Sequence, residues 1–136
     1  MGRHFVLFAT VVLCCAVSLS AGKPKRVRVY VFTATQGQSG WAAPDIGDRQ
    51  NSVRDLKRFL PSRRIECVSK ETANVWLEVV RREDHVGLTV RLSVPGTDYT
   101  TEWTADARTW RGMAADIAQH FDAWLDGNLD RLPVEP

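Results

Sequence analysis

Hydrophobic and polar residues alternate from the first ordered-looking stretch of the chain. In "VRVYVFT", Val27, Val29 and Val31 fall on one side and Arg28, Tyr30 and Phe32 on the other, which predicts a strand. The segment "DRQNSVRDLKRFLP" changes to a helical period, with Val53, Leu56 and Leu60 as its apolar stripe and Phe59 at the margin. Asp48 or Asn51 is placed to cap its start and Pro61 to stop it. "RRIECVS" predicts a short second strand, and "ANVWLEVVRRE" a third, with Val75, Leu77 and Val79 opposed to Trp76, Glu78 and Val80. A turn at "EDH" leads into "VGLTVRLSV", and "PGTD" closes a hairpin with "YTTEWT". The last element, "DARTWRGMAADIAQHFDAWLDGN", places Trp110, Met113, Ala114, Ile117, Phe121, Trp124 and Leu125 at helical spacing. Asp106 is the expected cap and Gly127 the expected left-handed residue after its end, with "RLPVEP" a frayed tail.

This order, β-α-β-β-β-β-α, predicts an α+β two-layer sandwich: a mixed sheet of about five strands with two helices on one face. A single domain over 22–130 and a tail over 131–136 follow.

The amino terminus changes the picture of where such a domain works. "MGRHFVLFATVVLCCAVSLSAGK" has Arg3 ahead of an apolar run from Phe5 to Val17, then small residues at Ser18, Ser20 and Ala21. That is the pattern of a signal peptide over 1–21, shorter than the about 20 apolar residues of a membrane span. The expectation is export, with a periplasmic or extracellular mature form that carries no transmembrane anchor. Cleavage removes Cys14 and Cys15, leaving Cys67 alone and no disulfide within the chain. Arg3 leaves as well, so the 18 basic residues fall to 17 against 16 acidic ones. The basic residues cluster at Arg49, Arg54, Lys57, Arg58, Arg63 and Arg64, while Asp116, Asp122 and Asp126 lie on the last helix. An exported protein meets little nucleic acid; the basic run reads as a solvated helix face or as a contact for an anionic envelope component.

Catalytic chemistry is thinly represented. His85 and His120 are the histidines of the mature chain, one in a turn and one at a helix edge, and no Gly-x-Ser-x-Gly elbow accompanies either. Cys67 reads first as a buried strand cysteine and second as a reactive thiol. Metal-binding spacings such as His-Glu-x-x-His and Cys-x-x-Cys are missing, and Asp45 with Asp48 is a faint calcium signal. No cofactor is expected. A carboxylate pair serving a small hydrolase remains as a third reading.

Two features suit binding. The 33–47 connection is long beside the usual about 2–6 residues, and it leads into a helix N-terminus, which favours anions. Gln36, Gln38, Ser39 and Trp41 lie in it, and their convergence with Arg49 would make a small-ligand or anion site. The second feature is the sheet face away from the helices, where Tyr30, Phe32 and Trp76 point together with Arg28, Glu78, Arg91 and Glu102. Left open, an aromatic patch edged by charge is an interaction signature; the alternative is that the long loop folds back and Trp41 covers these rings, which needs no partner. The leading expectation is therefore a non-catalytic binding or accessory protein docking through this face and the loop, with an envelope protein as candidate partner.

The stretches Ser52 to Leu56, Ala73 to Val79 and Tyr99 to Trp110 carry a resemblance to a group of small bacterial secreted α/β proteins. That group shares a Ser-Val-x-Asp-Leu helix, an "-ADVxxEV-" strand and a Thr-x-Glu strand running into a Trp-containing helix; Asn74 stands here where aspartate is usual. The resemblance spans most of the mature chain and implies no activity. The element order is also similar, at the level of fold, to small periplasmic docking domains such as the amino-terminal domain of the Tol-system propeller protein, which implies partner docking.

Overall fold

Alternating β-branched residues form the strands, and the two helical periods cover one side of them. The computed structural model describes residues 26–34 and 45–132. Its strands are β1 (Val27–Phe32), β2 (Ile65–Cys67), β3 (Val75–Glu83), β4 (Gly87–Ser93) and β5 (Thr100–Ala105); its helices are α1 (Ile46–Phe59) and α2 (Trp110–Asn128). They form one mixed sheet in the order β2-β1-β3-β4-β5. β1 lies parallel to both β2 and β3, and the other pairs are antiparallel. This is the α+β sandwich that the periodicity predicts.

The core fills the layer between sheet and helices. Val29, Val31, Val75, Leu77, Val79, Leu88, Val90 and Leu92 come from the strands, and Leu56, Leu60, Ile117, Phe121 and Leu125 from the helical side. Two turns depend on glycine. Gly96, in the β4–β5 turn, has φ +81°. Gly87 combines φ +99° with an approach to the Ala105 carbonyl so close that a Cβ would overlap it, so both conformation and space demand glycine there.

Several terminal details differ from the sequence expectations. α1 starts after Asp45, not at Asp48 or Asn51, and the Asp45 side chain makes no capping hydrogen bond. α2 is capped by Thr109, whose hydroxyl accepts from Gly112 N at 2.9 Å, in place of Asp106. The donor lies three positions after the acceptor in that cap, the spacing an N-cap side chain reaches from the residue just before the helix and not from Asp106. Gly127 is helical; the chain continues without a left-handed residue into a 3₁₀ turn, Leu129–Arg131, and Leu132 joins the core. Apolar packing of Leu132 holds the chain past the point where glycine could have ended the helix.

Candidate functional site

The β1/β3 pairing aligns the outward side chains in rows. Tyr30 stands opposite Trp76, and Phe32 opposite Glu78, which in turn faces Arg91 and then Glu102. The first row is aromatic. Tyr30 and Phe32 stack at 4.9 Å between ring centroids, and Phe32 meets Trp76 edge-on at 6.5 Å. Lys70, from the 3₁₀ turn Lys70–Thr72, sits 5.1 Å over the Trp76 ring, a cation–π contact. All three aromatic residues are half-buried. The indole Nε1 of Trp76 is buried and finds no acceptor among the described residues.

The second row is ionic. Arg91 donates Nε and Nη2 to Glu102 Oε1 at 3.0 and 2.9 Å, and its Nη1 lies 3.8 Å from Glu78 Oε1. One guanidinium between two carboxylates leaves this half of the face with a net negative charge. The two rows thus give the outer face an aromatic end on β1 and β3 and an acidic end toward β5.

Arg49 is a correction to the ligand-facing role expected for it. It is buried, at 5% exposure, and its guanidinium is committed inside the domain. Nη1 donates to Thr33 Oγ1 at 2.7 Å, and Thr33 Oγ1 donates to the Val79 carbonyl at 2.8 Å. Arg49 Nε also lies 3.1 Å from Asp45 Oδ2, an ion pair without hydrogen-bond alignment. The arginine therefore ties the end of β1 to the start of α1, fixing both feet of the long connection. Gln36, Gln38, Ser39 and Trp41 lie outside the described residues.

The Val79 carbonyl needs that hydrogen bond because β3 bulges here: Val79 pairs with Val90 but Arg81 with Thr89. The extra residue reverses the alternation, sending Arg82 to the helix side. Its Nη1 donates to the Asp48 carbonyl at 2.9 Å and to the buried Ser52 hydroxyl at 3.2 Å, with the guanidinium 4.3 Å over the Trp110 ring. An open depression of about 580 Å³ adjoins it, lined by Asp48, Arg82, Glu83, Asp84, His85 and Trp110. Sequence reasoning missed this residue. The doubled pattern Val79-Val80-Arg81-Arg82 is the trace that the bulge leaves in the sequence.

The residues weighed for catalysis are spread apart. Cys67 is on β2 at one edge of the sheet, and His120 stacks at 6.3 Å on Trp103 of β5, at the other. Four interstrand spacings make that separation about 19 Å. Burial raises the Cys67 thiol pKa, partly offset by the charge of Lys57. Among the described residues, no three His, Cys, Asp or Glu side chains gather as a metal ion would require, and no helix is long and apolar enough to cross a membrane. The segregated charges of the sequence meet in one place: Arg64 donates to Asp122 Oδ1 at 2.9 Å, to Asp126 Oδ1 at 2.7 Å and to the Asp122 carbonyl. Those carboxylates raise the Arg64 pKa. Comparison with family models, with curated proteins and with solved structures found no match.

Proposed function

We propose that this chain is an exported, non-catalytic binding or accessory protein that docks a protein of the cell envelope through the outer face of its sheet. The observation that carries this reading is the row of Tyr30, Phe32 and Trp76: three contiguous, half-buried aromatic rings on the face away from both helices. Aromatic side chains offer large contact area and, in Tyr and Trp, a polar handle, so they dominate protein interfaces. The acidic Glu78–Arg91–Glu102 row alongside favours a partner surface that is apolar at one end and basic at the other.

A small-ligand or anion site at the start of α1 is the weaker reading. Asp45 and Asp48 already bring negative charge to that terminus, and Arg49 is occupied. The resemblance to small periplasmic docking domains supports the docking reading at the level of fold alone.

The test is cross-linking capture from the native envelope, followed by reconstitution with the purified partner. Wild-type protein should recover and rebind one defined partner, and a folded Phe32→Ala, Trp76→Ala variant should lose both. Undiminished rebinding by that variant would clear the outer face of this role.

A further inference from the structure

The sheet has two edges, and they are built differently. β2 is three residues long, too short to template another strand. β5 has six residues, paired with β4 in unbroken register from Thr100 to Ala105, and its other side is unpaired among the described residues. Exposed strand edges are normally blunted by proline, lysine or a bulge. β5, with the sequence TTEWTA, has none of these. Its single charge, Glu102, points to the outer face and is paired with Arg91 of its own sheet.

A second observation lies beside this edge on the helix side. Trp103 of β5 is half-buried and packs on His120, Phe121 and Trp124, at 6.3, 6.2 and 6.5 Å. His120 is exposed and Trp124 half-buried. An open row of main-chain groups therefore runs next to partly exposed aromatic rings. Added strands gain affinity from the former and specificity from the latter.

We propose that two copies of this chain join through β5, edge to edge and antiparallel, so that their two sheets become one. The strand is self-complementary in one register. With Trp103 on the two-fold axis, the helices of both copies stay on the same side, Glu102 faces Thr104 of the second copy, and Thr101 faces Ala105. A register centred on Glu102 would instead oppose two carboxylates, which is unfavourable. The contact is also closed: once β5 is used, the edges left are the two short β2 strands, so pairing stops at a dimer. This surface is separate from the aromatic row on β1 and β3, and either can hold if the other fails.

Sedimentation velocity of the purified chain, over a series from low to high micromolar concentration, tests the proposal together with two exposed-site variants. The expected result is a concentration-dependent monomer–dimer equilibrium. Thr104→Glu, which places a carboxylate against Glu102 of the second copy, should weaken the dimer about tenfold, and Thr104→Lys should tighten it by a similar factor. Hydrogen exchange on the wild type gives an independent reading: the β5 amides that point away from β4 should gain protection in step with dimer formation. A monomer throughout would overturn the proposal. So would a dimer in which those amides stay unprotected, or one that both Thr104 substitutions affect alike. Protection gained only on adding a different protein would also overturn it, and would make β5 a site for a foreign strand.

Discussion

The two faces of one sheet carry the same number of strands and opposite kinds of surface. On the helix side, Val29, Val75, Leu77, Val79, Leu88, Val90 and Leu92 are fully buried. On the other side, the outward residues of β1 and β3 are all partly exposed. The inner face is aliphatic and close-packed, so it has one acceptable partner, the helical layer, and any gap there is felt at once. The outer face is made of aromatic rings and ion pairs, which tolerate water and remain able to accept a partner. The difference separates what holds this fold together from what it can offer to another molecule.

The largest test of that contrast compares neighbours in β3. Leu77→Ala removes a fully buried side chain and should cost about 3–4 kcal/mol. Trp76→Ala, one residue away on the outer face, should cost about 1–2 kcal/mol. Urea unfolding of both variants measures the pair, and equal losses would mean that the outer face is a second core. Next comes Arg49, a buried charged residue held by polar partners. Arg49→Ala removes the hydrogen bond that the Thr33 hydroxyl accepts and the cation beside Asp45, and should cost about 2–3 kcal/mol; its thermal unfolding, set beside that of Arg54→Ala at an exposed position of the same helix, shows whether burial is the cause.

Smaller effects sharpen the comparison from the wet side. Glu102→Gln weakens an ion pair open to solvent and should change stability by less than about 0.5 kcal/mol, with the difference shrinking further in high salt. The smallest concerns Cys67, which sits at the rim of the dry layer on β2. Because burial raises its folded pKa, the folded chain holds the thiol proton more tightly than the unfolded chain. Its contribution is therefore intact below the ordinary thiol value of about 8.5 and declines as pH rises through the folded one. A Cys67→Ser variant should lack that alkaline decline. Thiol labelling of native protein near neutral pH should be slower than labelling of the unfolded chain.

The inner face was readable because burial imposes a period. Val27-Val29-Val31, Val75-Leu77-Val79 and Leu88-Val90-Leu92 all point where alternation predicts, and α2 buries the stripe that helical spacing predicts. The candidate site was readable only in part. Tyr30, Phe32 and Trp76 were visible as a shared face, but their contact depends on β1 lying between β2 and β3, which no local pattern encodes. Arg49 was misread because charge argues for exposure, and only the fold reveals that Thr33 and Asp45 wait for it at the base of α1. Arg82 was missed because a bulge inverts the alternation that was being counted.

By itself, then, the sequence determined the elements, their order and the dry side of the regular strands and of α2, since these follow from local chemistry repeated at a fixed period. Tertiary structure decided how those elements ended and met. Thr109 displaced Asp106 as the cap of α2, because the cap must lie just before the first helical residue to reach the free amides. Gly127 stayed helical, because Leu132 packs into the core beyond it. The strand order left β5 as the longer edge unpaired among the described residues and brought Trp103 to it, a placement that depends on which strands pair across the sheet and so lies beyond the reach of any local pattern.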